Sequence, residues 1–283
     1  MSDGKARKTL RILAVVPESE IARRPRVALV IPAYNEEKNV ENVLREIQTL
    51  KSRCPQWELI PIVVNDGSQD RTEEILAKIA PFYGAQVITL PINLGIGRAV
   101  HTGFKLAVRL RADVTLQLDG DGQHPAEQIP LIAEPVLQGD ADVAVGSRYL
   151  PGASGNVSTG LRQFGTFFFS ILLRLLTGIW IKDTTSGFRA FSSEATEFLS
   201  RYYPDDYPEV EAYVPLVRRG FKITERAVQM RARRGGRSSI TPVRSLYYMI
   251  KVAFATVIDM LRPLPERLPR GQSNPGEGDA RRS

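Results

Sequence analysis

The fold class follows from residues 27–50, VALVIPAYNEEKNVENVLREIQTL. The first six of them, VALVIP (27–32), form an unbroken apolar run of the kind that is buried on both faces of a parallel sheet. From residue 38 onward, the apolar side chains instead recur at helical spacing, at Val40, Val43, Leu44, Ile47 and Leu50. A buried strand followed by an amphipathic helix predicts a repeating strand–helix architecture.

The same alternation continues along the chain. Further strands are predicted at LIPIVVN (59–65), AQVITL (85–90), DVTLQL (113–118) and DVAVG (142–146). Helices are predicted between them, at 97–110, at about 126–138 and after a capping box at Asp70–Glu73. We therefore expect an α/β fold with a mainly parallel central sheet and helices on both faces, which binds ligands at the carboxyl ends of its strands.

The length of 283 residues suits one large domain with two tails. We place the domain at 25–240 and expect disordered tails at 1–24 and 263–283. Residues 241–262 are predicted to form an amphipathic helix, and residues 164–181 form a second strongly apolar segment. Each is either a core helix or a helix lying in the lipid headgroup layer, and the basic residues beside both segments favour the second interpretation.

Composition narrows the cellular setting. A single cysteine, Cys54, excludes an intrachain disulfide and fits a reducing compartment. The amino terminus lacks a signal-peptide pattern, and no run approaches the roughly 18 apolar residues of a membrane span. We therefore expect a cytoplasmic protein that is peripheral on the membrane. The net charge is +7, and residues 218–244 hold nine basic residues against one acidic residue, Glu225, which indicates an anionic partner.

Polar side chains follow the first two predicted strands, in PAYNE (32–36) and NDGS (65–68). Each motif alone is an ordinary polar turn. At equivalent positions of a strand–helix–strand unit, their acceptors suit ribose hydroxyls and base N–H groups, and together they favour a nucleotide. The glycines of NLGIG (93–97) open a helix, where they either bind an anion or make a tight turn. Their spacing is not the dinucleotide fingerprint.

The strongest local signal is LDGDGQ (118–123). Asp119 and Asp121 stand two residues apart, so their carboxylates can point the same way from an extended backbone. Such hard oxygen ligands suit Mg²⁺ or Mn²⁺, which would also take oxygens of a diphosphate. A lone pair of this kind is common in loops, so the metal interpretation depends on its position after the fourth strand.

Three later motifs carry arginines, at GSR (146–148), DTTSGFR (183–189) and RRGGRSS (233–239). Arginine grips phosphate through paired hydrogen bonds. A solvated basic surface is the alternative for the last motif, whereas its interleaved glycines and serines favour a loop that wraps a phosphate.

In this order and spacing, PAYNEE, VVNDGSQDRT, NLGIGRA, LDGDGQHP, VGSRY and DTTSGFRAF resemble the family 2 glycosyltransferases. The branch they resemble is the polyprenyl-phosphate sugar transferases, such as dolichol-phosphate mannose synthase. The resemblance runs from about Val27 to Ser239. It implies a GT-A, Rossmann-like fold and a metal-dependent, inverting hexosyltransferase, with a nucleotide-sugar donor and a polyprenyl (undecaprenyl or dolichyl) phosphate acceptor.

The resemblance also implies residue roles, motif by motif. The base and ribose would be lined by Pro32, Tyr34, Glu36 and Asp66. The metal and diphosphate would be held by Asp119, Asp121 and Gln123. The remaining substrate contacts, mainly to phosphate, would come from Arg148, Arg189, Arg233 and Ser238. Asp183 lies where relatives place an acidic residue near the acceptor, and Asp121 and Asp183 are the two candidate catalytic residues.

The sequence also departs from the family pattern. Ser239 stands where relatives often carry lysine, which puts one phosphate contact in doubt. The long transmembrane pair that some bacterial relatives append is not found, so the acceptor would dock through segments 164–181 and 246–261. This arrangement leaves room for an integral membrane partner protein.

An acceptor phosphate is anionic near neutral pH, so the expected reaction is its direct attack on the anomeric carbon without a strong general base. A glycan or protein hydroxyl acceptor is an alternative, and it would require such a base. A non-enzymatic basic module acting through residues 218–244 is a second alternative. The acidic motifs argue against nucleic acid as its partner. UDP-glucose, GDP-mannose and UDP-N-acetylhexosamine all remain open as donors.

Overall fold

The computed structural model describes residues 23–155, 160–204, 208–231 and 242–263. The strands are β1 Arg26–Ala33, β2 Glu58–Asn65, β3 Gln86–Thr89, β4 Val114–Gln117, β5 Val143–Ser147, β6 Ser154–Gly155, β7 Arg189–Ser192, β8 Ile223–Ala227 and β9 Gln229–Met230. The helices are α1 Val40–Arg53, α2 Thr72–Tyr83, α3 Ile96–Arg109, α4 Ile129–Leu137, α5 Gly160–Thr177, α6 Ser193–Arg201, α7 Pro208–Glu211, α8 Tyr213–Arg218 and α9 Pro242–Leu261. A 3₁₀ turn at Ala126–Gln128 precedes α4.

The main sheet has the strand order β3-β2-β1-β4-β7-β5-β8. All neighbouring pairs are parallel except those of β7, which runs antiparallel between β4 and β5. The short strands β6 and β9 pair in parallel as a separate ribbon. The predicted mainly parallel sheet is confirmed. The sequence analysis did not predict β7 and β8 of this sheet or the two short strands β6 and β9.

Both faces of the sheet are covered by helices, as expected. Along β1, Val27, Leu29 and Ile31 pack into the cluster that includes α1 and α4. Ala28 and Val30 alternate with them and pack into the cluster that includes α3, α6 and α8. All five side chains are fully buried, because a strand in the middle of the sheet meets helices on each side.

Several element boundaries differ from the predictions, and two of these differences have a structural reason. The edge strand β3 is shorter than residues 85–90, and its side chains are largely exposed, because it has a neighbour on one side only. The predicted capping box is displaced, since α2 begins at Thr72 and its cap residue, Arg71, makes no side-chain cap bond. Asp70 instead accepts from the Thr72 amide at 2.9 Å and from the Glu37 amide at 3.1 Å, which fastens the start of α2 to the loop after β1.

The two apolar segments form α5 and α9, and each is buried on one side only. Phe169, Leu173 and Val252 are buried in clusters beneath the helices. The opposite sides expose large apolar residues, namely Phe164, Phe167, Ile171 and Leu175 on α5 and Ile250, Phe254, Val257 and Leu261 on α9. Within the described residues, every helix is too short or too polar to cross a bilayer. Residues 1–22 and 264–283 of the expected tails lie outside the described part of the chain.

A close helix–strand contact at Gly103 leads to a stability prediction. A Cβ at Gly103 would lie 2.3 Å from Cγ1 of Val30, so α3 can pack against β1 only without a side chain there. We expect Gly103→Ala to lower the free energy of unfolding by about 1–3 kcal/mol through overpacking, as measured by urea denaturation.

Gly165→Ala on α5 is the matched control, because the nearest atom to its Cβ would be the Met249 sulfur at an ordinary 3.9 Å. We expect this variant to unfold at or above the wild-type urea midpoint. Equal destabilisation of the two variants would contradict the packing argument.

Candidate active site at the carboxyl edge of the sheet

The predicted motifs converge where the parallel strands end. The loop after β4 passes so close to the end of β1 that a Cβ at Gly120 would lie 2.7 Å from the Pro32 carbonyl oxygen. The loop after β2 meets the loop after β3 in the same way, since a Cβ at Gly67 would lie 2.5 Å from the carbonyl carbon of Ile92. Gly67 also adopts a φ of 64°, which disfavours any other residue. These contacts join the ends of β1 and β4 and the ends of β2 and β3.

Asp66 holds together the loops at which we expect the nucleotide to bind. Its two carboxylate oxygens accept from the backbone amides of Leu94 and Gly95, each at 2.8 Å. Asp66 is 3% exposed, and it therefore fixes the glycine loop of α3 against the end of β2. Each oxygen keeps a second lone pair, so this placement still permits contact with a nucleotide base.

The loop after β1 is held by the loop after β2. Asn35 accepts from the Gln69 amide at 2.8 Å, and its own amide donates to the Ser68 hydroxyl at 3.0 Å. The Glu36 amide donates to the Thr72 hydroxyl at 2.8 Å. Tyr34 remains 41% exposed on this fixed loop, so its ring is available to a ligand, whereas Pro32 is buried.

The acidic loop after β4 is internally bonded. Asp121 is 5% exposed and accepts from the backbone amide of Gln123 at 3.0 Å and from its side-chain amide. Asp119 is more open, with 30% of its side chain exposed. The two carboxylates and Gln123, predicted as a metal site, thus lie on one short loop.

His124 supports Asp119 in a way that the sequence analysis missed. Its Nδ1 accepts from the Asp119 amide at 3.0 Å, and its Nε2 lies 3.6 Å from Oδ2 of the same residue. The imidazole stacks on Phe188, with 4.9 Å between ring centroids. In the sequence, His124 is marked only by its position directly after the acidic motif, and the spacing does not indicate its bonding partners.

The DTTSGFR motif joins the acidic loop from the other side. A Cβ at Gly187 would lie 3.3 Å from Oδ1 of Asp119, so the absence of a side chain lets the two loops touch. The Ser186 hydroxyl donates to the Gly146 carbonyl oxygen at 2.6 Å and fastens the motif to the end of β5.

Asp183 and Arg148 form a buried ion pair. Asp183 is fully buried, and its carboxylate accepts from the Arg148 amide, Nε and Nη2 at 2.9, 2.8 and 2.7 Å. Burial alone would lower the pKa of the Arg148 guanidinium, but the hydrogen bonds and charge of Asp183 outweigh it and raise that pKa, with a smaller contribution from Asp119. The two carboxyl oxygens of Glu225 accept from the amides of Lys182 and Asp183, which fixes the turn.

Arg189 takes a different position from the substrate contact expected of it. It is 2% exposed, and its guanidinium donates to the carbonyl oxygens of Ser186, Thr184 and Glu209. The guanidinium also lies 4.5 Å from the centre of the Tyr213 ring. Through these contacts, Arg189 connects the 183–189 motif to α7.

Glu209 on α7 is a second residue that the sequence analysis missed. Burial raises the pKa of its carboxyl; Arg189 opposes the shift, and the nearby charge of Asp119 adds to it. The motifs gave no signal for Glu209, because it stands outside all of them.

Two predicted residues, Arg233 and Ser238, lie outside the described residues. Arg231, just before them, donates its amide to the Gln123 carbonyl oxygen at 2.9 Å. Arg231, which precedes Arg233 by two residues in the sequence, therefore contacts the acidic loop.

A divalent ion fits the donor chemistry of this loop, but not as a complete protein cage. Among the residues that the structure describes, no three His, Cys, Asp or Glu side chains are grouped so that they could hold a metal. Mg²⁺ characteristically takes one or two carboxylates and completes its shell with substrate phosphates and water. Asp119 and Asp121 supply the hard oxygens that this mode of binding requires.

A mainly parallel α/β sheet with an acidic loop and arginine-bearing turns at its carboxyl edge is the architecture of the GT-A fold. The sequence profile described as "Glycosyl transferase family 2" matches residues 28–199. The chain therefore belongs to glycosyl transferase family 2 and is a glycosyltransferase.

Individual relatives agree with this assignment. The chain is 32% identical to the UDP-N-acetylglucosamine–dolichyl-phosphate N-acetylglucosaminyltransferase of Methanococcus voltae, over 62% of this chain and 72% of the relative. It is 28% identical to the polyprenol monophosphomannose synthase of Mycolicibacterium smegmatis, over 81% and 86%.

The fold is shared with solved structures. Glucosyl-3-phosphoglycerate synthase from Mycobacterium tuberculosis, in complex with Mn²⁺, UDP and glucosyl-3-phosphoglycerate, superposes with a TM-score of 0.58. The identity is 23%, and the match covers 84% of this chain and 80% of that one. This likeness establishes the GT-A fold.

The buried ion pair leads to a prediction about stability. We expect Asp183→Asn to lower the free energy of unfolding by about 2–4 kcal/mol, because it leaves the Arg148 guanidinium, whose side chain is only 17% exposed, without its counter-charge. Urea denaturation monitored by circular dichroism measures the change.

The exposed pair Arg201–Glu197 on α6, joined at 2.5 Å, provides the control. Glu197→Gln should cost less than about 1 kcal/mol. If Asp183→Asn unfolded at the wild-type urea concentration, the ion pair would not have the role assigned to it.

Proposed function

We propose that the protein transfers a hexose from a nucleotide-sugar to a polyprenyl phosphate, with inversion at the anomeric carbon and with Mg²⁺ or Mn²⁺ bound. The observation that carries the proposal is the contact between Gly187 and Asp119, which sets the Arg148–Asp183 turn beside the acidic loop. A diphosphate and a second phosphate would both find partners at this one edge. The names of the Methanococcus voltae and Mycolicibacterium smegmatis relatives support a polyprenyl-type phosphate as the acceptor.

Donor binding is assigned to the loops after β1 and β2. Tyr34 and Glu36 would line the base and ribose, with Pro32 beneath them. Asp66 would act mainly by shaping the glycine loop that it holds through Leu94 and Gly95. The positive end of the α3 helix dipole adds an environment that favours negative charge.

The metal is assigned to Asp119 and Asp121, with Gln123 orienting Asp121. When bound, the ion neutralises the charge that develops on the departing diphosphate. His124 would keep the Asp119 carboxylate in place through the contacts of its two ring nitrogens.

The reaction is a single displacement. An oxygen of the acceptor phosphate forms a bond to the anomeric carbon while the bond from that carbon to the diphosphate oxygen breaks. The nucleoside diphosphate leaves with the electron pair. Because the attacking oxygen is already anionic, Asp183 need not act as a base, and we assign it the task of orienting Arg148 toward a phosphate.

Arg189 is assigned a positioning task as well, since its Nε and Nη2 donate to backbone carbonyl oxygens. Arg233 and Ser238 remain proposed phosphate contacts. Arg231 supports this assignment, because its amide bonds the Gln123 carbonyl oxygen and it precedes Arg233 by two residues in the sequence.

Membrane contact is proposed for the exposed apolar faces of α5 and α9. Phe164, Phe167 and Leu175 are 60%, 55% and 79% exposed, and Phe254 and Leu261 are 69% and 81% exposed. Basic residues accompany them, including Arg174 within α5 and Lys251 within α9. Such helices lie in the headgroup layer. A peripheral position on the cytoplasmic face would bring the lipid phosphate to the site.

The test of the proposed reaction is a donor panel. Purified protein is incubated with a polyprenyl phosphate, Mn²⁺ and labelled UDP-glucose, UDP-N-acetylglucosamine or GDP-mannose, and label is counted in the lipid phase. We expect label from one donor, lost with EDTA and restored by added Mn²⁺. Nucleotide release without lipid label, in the presence of a hydroxyl acceptor, would contradict the proposal.

The metal assignment is tested by substitution. We expect Asp121→Asn to reduce turnover at saturating substrates by about a hundredfold or more, because stabilisation of the leaving diphosphate is worth several kcal/mol. Asp140→Asn, in an exposed turn far along the chain from the motif, is the control and should keep wild-type turnover. Full activity of Asp121→Asn with Mn²⁺ would refute the metal site.

The membrane assignment is tested by sedimentation with vesicles of anionic phospholipid. We expect Phe254→Glu to weaken vesicle binding by at least about tenfold, because one buried Phe contributes roughly 1.5–3 kcal/mol. Phe82→Glu is the control, since Phe82 is 82% exposed but lies on α2, outside both helices. Equal binding of Phe254→Glu and wild type would remove α9 from the membrane contact.

A further inference from the structure

The polypeptide returns to the acidic loop at the end of β9. The Arg231 amide donates to the Gln123 carbonyl oxygen at 2.9 Å. Two residues earlier, the Gln229 amide donates to Oε1 of Gln128 at 3.2 Å. Residues 229–231 thus contact the loop after β4 at two points, although more than a hundred residues separate them along the chain.

The side chain of Arg231 reaches past this loop to helix α1. Its guanidinium donates to Oε1 of Glu46, and Nη2 lies 3.7 Å from Oε1 of Glu127. The other oxygen of Glu46 accepts from the Ala126 amide at 3.4 Å. One carboxylate on α1 therefore holds both the residue after β9 and the chain that leaves the acidic loop.

We propose that Glu46 and Arg231 are positioning residues, which together hold the backbone of the acidic loop in the position that metal and diphosphate binding requires. Neither side chain is assigned a contact with substrate or metal. They act through the backbone of Gln123, whose side chain in turn bonds Asp121. The consequence for the metal rests on the proposed function, whereas the consequence for the backbone does not.

If Glu46 and Arg231 served only to stabilise the fold, their loss would lower the thermal midpoint of unfolding. Both side chains are 32% exposed, and a half-exposed ion pair contributes little to global stability. Loss of the pair should therefore weaken ligand binding at the acidic loop while the thermal midpoint stays close to that of the wild type.

The first test compares full-length Glu46→Gln with Glu41→Gln, an exposed residue of the same helix. Calorimetric titration with Mn²⁺ is carried out in the presence of UDP and, in a parallel series, GDP. We expect Glu46→Gln to weaken Mn²⁺ binding by about tenfold, as substitutions behind metal ligands do, and Glu41→Gln to leave it unchanged. Unchanged affinity in Glu46→Gln, or an equal loss in both variants, overturns the proposal.

A second measurement needs neither metal nor activity. Hydrogen exchange of the Arg231 amide is followed in the unliganded protein, and we expect it to be about fivefold faster in Glu46→Gln. Wild-type exchange in Glu46→Gln overturns the proposal even if the wild-type protein binds no Mn²⁺. Absence of sugar transfer by the wild type would instead count against the proposed function alone.

Discussion

The buried ion pair between Arg148 and Asp183 is the interaction on which the arrangement of the active site depends. Asp183 accepts three hydrogen bonds from Arg148, and Glu225 holds the amide of Asp183 from β8. The turn fixed in this way lets Gly187 rest against Asp119. Since burying two charges costs much of what their attraction returns, the pair is better explained by the position it imposes than by net stability.

The sheet divides the proposed reaction between two halves. On one side, β1, β2 and β3 end in loops that hold one another and would hold the nucleotide. On the other, β5, β7 and β8 carry the Arg148–Asp183 turn that would receive the acceptor phosphate. The acidic loop follows β4, which pairs with β1 on one side and β7 on the other. The metal and the transferred sugar would thus lie where the two halves meet, and the antiparallel β7 makes this junction possible.

Much of this architecture was predictable, because local apolar patterns indicate strands β1 to β5 and the polar motifs follow the ends of these strands. The rest depends on contacts between residues far apart in sequence. Nothing in the DTTSGFR motif indicates that the Arg189 guanidinium donates to backbone carbonyl oxygens, and its substrate contact stays a prediction. The bonds of His124 to Asp119 and of Arg231 to Glu46 likewise required the folded chain. The sequence also left open whether α5 and α9 are buried in the core. The structure shows that each helix is buried on one side and exposed on the other.

The central claim is that a lipid phosphate, rather than a hydroxyl, attacks the sugar. The most direct measurement offers the protein one active donor with three acceptors in parallel: a polyprenyl phosphate, the matching polyprenol without phosphate, and 3-phosphoglycerate. The account predicts that label enters the polyprenyl phosphate alone, with the sugar linked in the anomeric configuration opposite to that of the donor. Transfer to the polyprenol or to the hydroxyl of 3-phosphoglycerate, at a rate equal to or above that for the lipid phosphate, would contradict it.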